Sequence, residues 1–350
     1  MARDHDSDQH DVTRRHALGR VGWAGVGLLC AASAGVQNSL NLLGRAQAAQ
    51  ERPIIPVIVK DNTSFYWQIV LAGARKAAQE LRADVVALAA ESESDVVGQI
   101  SILESVIGSN PAAIVIAPTE FAALGKPIDR AAKLVKIVGI DSDADTQAFT
   151  SLLKTDNVQA GRAAADLLAD PIKRTYADTE GDVAIITSSP GVPSLDDRAN
   201  GFKAQISARY RALDIVAHEV GDGQAATGFN ITMNLIEAHR ELRGVFASNH
   251  AMTQGASQAL AETKTNKGGD KINLIGFDSD EKLVGLLKDG TIAALIVQDP
   301  FRMGYDGVRT AVAAARGEHV LASVDTGFNV ITGTNMNAAR SQELLVPKLN

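Results

Sequence analysis

The sequence predicts an α/β chain of two doubly wound domains, each on a parallel sheet, and three observations carry that reading. From Ile54 onward, short β-branched runs alternate with Ala- and Leu-rich stretches of helical period, the pattern of βαβ units. A buried strand ending in Asp-Ser-Asp occurs twice, as Ile137-Val138-Gly139-Ile140-Asp141-Ser142-Asp143 and as Leu274-Ile275-Gly276-Phe277-Asp278-Ser279-Asp280. Each copy follows a strand that runs into a polar loop, residues 114–120 in the first half and 245–250 in the second. Two domains of similar build are the economical reading. A chain of 350 residues with 45% hydrophobic residues supplies a core for each.

Residues 1–48 stand apart from that rhythm. Thr13-Arg14-Arg15-His16-Ala17-Leu18 holds a twin arginine, residues 21–34 are apolar and free of charge, and Ala46-Gln47-Ala48 offers small residues at a cleavable site. This predicts a twin-arginine export signal and a periplasmic protein. The apolar run is well short of the ~20 residues that a membrane span needs. The single cysteine, Cys30, lies inside the leader, with Leu29 where a lipid-attachment signal has a small residue. The remaining chain therefore has no disulfide and no thiolate metal site. Of 34 basic and 41 acidic residues the leader holds five and four, leaving 29 against 37. An acidic balance argues against nucleic acid or an anionic membrane as partner.

The first unit is Ile54–Gly73. An apolar run at 54–59 ends in Lys60-Asp61-Asn62-Thr63-Ser64, and Phe65-Tyr66-Trp67 opens a helix with apolar residues at Trp67, Val70, Leu71, Ala74, Ala78 and Leu81. Ser64 is the expected N-cap. Further strands are expected at 85–89, 113–117, 136–140, 183–187, 215–220, 244–247, 272–277 and 293–297. Crossovers should be right-handed, with helices on both faces of each sheet.

Catalytic constellations are not evident. The sequence has no G-x-S-x-G, no G-x-x-x-x-G-K-[ST] and no H-E-x-x-H, and His218, His239, His250 and His319 are too scattered to suggest a metal pair. The expectation is a protein that is not an enzyme, with no cofactor and no metal. What stands out is a set of polar residues where strands end: Lys60, Asp141, Asn249, Asp278 and Gln298, with Asp196, Asp197 and Arg198 in a loop after the strand at 183–187. In open parallel sheets, small ligands bind beyond the strands' carboxyl ends. Taken singly, each Asp also fits a helix cap; convergence of several favours a pocket. A hydroxyl is both donor and acceptor, so a hydroxyl-rich ligand is best held by carboxylates on one side and amides or an ammonium on the other. Tyr66 and Trp67 would stack on its C–H face.

With these residues in view, the chain from about Pro53 to Val346 resembles the sugar-binding group of periplasmic solute receptors that feed ATP-driven importers, the group containing ribose-binding protein. The shared features are the aromatic pair, Asp156-Asn157-Val158-x-x-Gly161, Arg198-x-x-Gly201-Phe202, Val245-Phe246-Ala247-x-Asn249, Gly276-Phe277-Asp278 and Gln298. The resemblance implies a type I periplasmic binding protein fold, with two lobes joined by a three-segment hinge. By it, Tyr66 and Trp67 match stacking aromatics, Asp141 matches the first-domain carboxylate that grips hydroxyls, and Asn249, Asp278 and Gln298 match second-domain and hinge ligands. Arg198 matches a structural arginine. The expected lobes are 53–155 plus 299–328, and 156–298 plus 329–350.

Departures from the ribose receptors bear on the ligand. They have an arginine where this chain has Ser142, another near Asp196, and a serine in place of Lys60. Fewer bidentate donors and more carboxylate argue against ribose itself. The expected partners are a small neutral polyhydroxylated ligand, such as a tetritol, a pentitol or a monosaccharide, and the permease of an ABC importer. The chain is expected to act as a monomer, without nucleic acid. Lys60, Asp141 and Ser188-Ser189-Pro190 also resemble the receptor for the furanosyl signal autoinducer-2, which is the alternative ligand.

Overall fold

The computed structural model describes residues 52–263 and 271–347. The expected leader, with Arg14, Arg15 and Cys30, lies outside the described residues, as do residues 348–350 of the second expected lobe.

Two six-stranded sheets organise the described chain. The first holds β1 (Ile54–Val59), β2 (Asp84–Ala89), β3 (Ala113–Ile116), β4 (Lys136–Ile140), β5 (Ser151–Lys154) and β11 (Ser323–Asp325), in the order β11-β5-β4-β3-β1-β2. All its pairings are parallel. The second holds β6 (Gly181–Thr187), β7 (Leu213–Val220), β8 (Leu242–Ala247), β9 (Asn273–Phe277), β10 (Ile292–Gln298) and β12 (Phe328–Thr332), in the order β12-β10-β9-β8-β6-β7. Its pairings are parallel except β12 on β10, which is antiparallel. The two orders correspond strand for strand, so β4 and β9, which end in the repeated Asp-Ser-Asp, hold equivalent places.

Central strands are apolar on both faces because helices cover both. In the first sheet, α1 (Phe65–Leu81) and α9 (Pro300–Ala315) bury Val70, Ala74, Met303 and Val308 against Val57, Val115 and Val138, while α2 (Val96–Ile107) and α3 (Phe121–Ala132) cover Ile58, Ile114 and Ile116. In the second, α4 (Asn157–Tyr176) and α5 (Pro193–Arg209) pack on Val183, Phe246 and Ile275; α6 (Ala225–Ala238), α7 (His250–Thr263), α8 (Glu281–Lys288) and α10 (Ala339–Leu345) complete the layers. The α4–α5 crossing is backbone-close: a Cβ on Gly161 would overlap the Arg198 carbonyl, and one on Gly201 the Val158 carbonyl. Only glycine fits at either position.

The chain passes three times between the sheets, after β5, after β10 and between β11 and β12. Thr155 ties the passages together. Its Oγ1 donates to Gln298 Oε1 at 2.9 Å, lies 3.3 Å from Thr326 Oγ1 and 3.2 Å from the Gly327 carbonyl oxygen.

The strand expectations agree with the structure within two residues at each end, but β5, β11 and β12 were not anticipated. Each is three to five residues long and sits beside a passage between sheets. Runs that short carry too little periodicity to separate from a loop.

Candidate functional site

Lys60, directly after β1, and Asp141, directly after β4, meet at the carboxyl end of the first sheet. Lys60 Nζ lies 2.7 Å from Asp141 Oδ2 and donates to Ser142 Oγ at 2.8 Å. Ser142 Oγ in turn donates to Asp141 Oδ2 at 2.8 Å and lies 2.9 Å from Ser194 Oγ on α5, which belongs to the other sheet's layers. Tyr66 donates its hydroxyl to Asp141 Oδ1 at 3.1 Å. Asp141 and Asp278 both adopt left-handed backbone, with φ of 66° and 64°, a region that Asp tolerates better than most residues. Each still donates its backbone N–H onward, to Leu153 and Ile296 respectively. The ladder thus gains one more bond while the side chain turns off the end of the sheet.

Both carboxylates line a cavity of about 60 Å³ together with Lys60, Tyr66, Trp67 and Glu93 from the first sheet's elements and Ser194, Arg198, Asn249, His250 and Gln298 from the second's. Trp67 is only 1% exposed and meets Tyr66 edge-on, with centroids 4.8 Å apart. The ring is core and cavity wall at once. Its Nε1 donates to Glu93 Oε1 at 2.8 Å. Gln298 donates from Nε2 to Asp278 Oδ1 at 3.1 Å, which links the cavity to Thr155. Arg198 donates from Nε to Asn157 and from Nη1 to the Ser248 carbonyl, both at 2.8 Å, with its guanidinium 3.6 Å over the Phe277 ring. Those bonds fit the structural role expected of it, although it also faces the cavity. Asn249 Oδ1 accepts the Met252 N–H at 3.1 Å. His250 Nε2 lies 2.8 Å from Asp280 Oδ2.

Electrostatics separate the carboxylates. Burial is the largest influence on Asp141 and favours protonation, but the charge and hydrogen bond of Lys60, with Arg198 and Ser142, together outweigh it and hold the carboxyl below its ordinary value. For Asp278 burial prevails over Arg198 and Gln298, and the carboxyl is raised. Glu93 is likewise raised by burial, against Lys60 and the Trp67 hydrogen bond. Burial, with Asp141 and Asp278 close by, pushes the Tyr66 phenol well up, so it stays a donor.

Some expectations need correction. Asp196 and Asp197 lie on α5 and not in a loop, and neither lines the cavity. Pro193 starts the helix early, and the 3.6-residue period then turns Ser194, Leu195 and Arg198 inward and Asp196 to solvent. Ser142 stands behind the wall, bonded to Lys60 and Asp141. Ser188 and Ser189 are buried away from the wall, which removes part of the autoinducer-2 likeness. Ser64 makes no side-chain cap; Asp61 Oδ1 accepts the N–H groups of Thr63 and Ser64, both at 2.7 Å. Sequence reasoning missed Glu93, Ser194 and His250. Glu93 follows β2, so the strand-end rule applied there would have found it; a serine at the second position of a helix carries no such signal.

Residues 55–319 match the family described as periplasmic binding protein domain. The chain belongs to that family. Among solved structures, this family member is similar to a carbohydrate transporter solute binding protein from Agrobacterium radiobacter in complex with D-arabinose. That likeness has 56% identity and a TM-score of 0.83, and covers 85% of this chain and 100% of the other. It is 28% identical to the ribose import binding protein of Haemophilus influenzae, over 81% of this chain and 92% of that one. It is 24% identical to a xylitol-binding protein of Mycolicibacterium smegmatis, over 71% and 69%. Among the described residues no helix is long and apolar enough to cross a membrane, and no three His, Cys, Asp or Glu are grouped to hold a metal ion.

Proposed function

We propose that this periplasmic binding protein captures a small neutral sugar or polyol, a tetritol, a pentitol or a monosaccharide, and delivers it to the permease of an ABC importer. The observation that carries the reading is the convergence of Asp141, Lys60, Asp278, Asn249 and Gln298 at the carboxyl ends of two sheets around one aromatic-walled cavity. Carboxylates, amides and an ammonium alternate there as hydroxyls require, and the cavity is walled by elements of both sheets' layers, as capture between two lobes requires. The named ligands of the similar proteins, D-arabinose, ribose and xylitol, are of that chemistry.

In this reading the lobes are 53–155 plus 299–328 and 156–298 plus 329–350, and they close on the ligand about the three passages as a hinge. Lys60, Tyr66, Trp67, Asp141, Asn249, Asp278 and Gln298 touch the ligand, with Ser142 and Arg198 behind them. The protein binds without chemical change of its ligand, needs neither metal nor cofactor, acts as a monomer without nucleic acid, and reaches the periplasm through the twin-arginine signal at 1–48.

Titration calorimetry of the chain with D-arabinose, D-ribose, xylitol and erythritol tests the ligand class. Saturable one-to-one binding of at least one is expected, with the corresponding sugar acid weaker. Tighter binding of the acid, or no binding across the four, overturns the reading.

A further inference from the structure

Glu93 lies in the loop between β2 and α2, on the cavity wall beside Trp67. Its Oε1 accepts the Trp67 indole N–H, and among the described residues no other hydrogen bond or ion pair reaches this carboxylate. Three other charged groups of the wall are committed more fully. Lys60 is held by Asp141 and Ser142, Arg198 by Asn157 and the Ser248 carbonyl, and Asp61 by the backbone of its own turn; Asp278, like Glu93, accepts from a single side chain, Gln298. Glu93 thus keeps an acceptor oxygen with spare capacity at the cavity, where burial disfavours its charge unless a donor arrives. It also stands at the seam between the two sheets' layers. The position of a Cβ on Gly223, in the loop between β7 and α6, would be 3.8 Å from Glu93 Cβ, and Glu93 borders both the inner cavity and the outer groove reaching Gln224 and Asp280.

The geometry points to Glu93 as a further ligand-binding residue: one carboxylate oxygen fixes the plane of Trp67 while the other accepts a hydroxyl of the bound sugar or polyol. The inference rests on the sugar or polyol reading given above. It makes specificity a matter of donors as well as shape. A ligand that lacks the hydroxyl beyond Trp67 leaves one oxygen of a half-buried carboxylate without a donor.

Glu93→Gln and Glu93→Ala separate the two tasks. The glutamine oxygen can still accept from Trp67, which turns its NH₂ toward the cavity and replaces an acceptor by a donor; alanine removes both contacts. The variants are made in full-length chain carrying Trp23→Phe, so that Trp67 is the only indole, and titrated with D-arabinose, D-ribose and xylitol. Glu93→Gln is expected to lower affinity by about tenfold or more while the Trp67 emission of the free protein matches the parent. Glu93→Ala should lower affinity and shift that emission. Glu93→Gln binding within about threefold of the parent overturns the inference while the sugar reading stands. A loss seen only together with shifted emission reduces Glu93 to holding Trp67 in place, which also overturns direct contact. A parent that binds none of the three probes defeats the ligand class first, and Glu93's hydroxyl with it.

Discussion

Lys60 Nζ and Asp141 Oδ2 are 2.7 Å apart, with side chains 5% and 6% exposed. A pair so buried is costly to break, because one charge is left without a partner in a dry site. Lys60→Ala and Lys60→Met should each weaken ligand binding by roughly 2–4 kcal/mol, although Met keeps much of the stem's volume. Calorimetry with D-arabinose or another bound probe checks this. A Lys60→Met protein that binds like the parent would show that volume, not charge, is what matters.

The same pair sets an acid limb of stability. Asp141 is held below its ordinary value in the folded state, so its contribution is full above the unfolded Asp value, near 3.9, and is lost as pH falls through the lowered one. Lys60→Met should therefore flatten the fall of Tm below about pH 4. An unchanged acid limb counts against the pair.

Asp278 has the opposite sign. Its folded value is raised by burial, so ionisation costs stability at neutral pH, and the cost is relieved as pH falls through the raised value. Asp278→Asn keeps an acceptor for Gln298 and tolerates the left-handed backbone. The free protein should melt no lower than the parent at pH 7.5 while binding falls about tenfold or more. A lower Tm with affinity intact would reverse that assignment.

Trp67 should register in both stability and binding, because it is 1% exposed and packed in the first sheet's core. Trp67→Ala is expected to lower unfolding free energy by about 3–5 kcal/mol and to weaken binding by a few kcal/mol. Denaturant titration beside calorimetry separates the two effects. Unchanged affinity would leave the ring as core alone.

The proposed twin-arginine export is tested at residues 1–48. Arg14→Lys with Arg15→Lys should leave full-length precursor in the cytoplasm, because the paired arginines are what twin-arginine translocation reads. Cell fractionation and blotting report the outcome, and normal processing outside would indicate the general secretory route.

Much of this architecture was legible because strand ends in a parallel sheet are marked by abrupt changes of polarity. The run Ile54–Val59 stops at Lys60, and the two Asp-Ser-Asp copies mark equivalent strands β4 and β9. Lys60, Tyr66, Trp67, Asp141, Asn249, Asp278 and Gln298 come to one cavity for the same reason. Asp196 and Asp197 misled because the turn before α5 ends sooner than its polarity suggests: Pro193 already begins the helix, and facing is then fixed by helical phase. Ser194 reaches Ser142 only through the approach of two sheets, which no local pattern encodes. The short strands β5, β11 and β12 exist because their neighbours supply the hydrogen bonds, not because four residues prefer to be extended.

The interleaving of the two sheets governs when the molecule can fold. The first sheet takes α9 and β11 from after residue 299, and the second takes β12 and α10 from after residue 327. A nascent chain that has emerged as far as Gln298 thus holds neither lobe in finished form. Residues 54–59 wait for helix partners some 250 positions downstream, a loop closure that local helices cannot shorten. Each half of the cavity is therefore completed only late in synthesis, so truncations short of residue 332 are expected to be chaperone clients and not half-receptors.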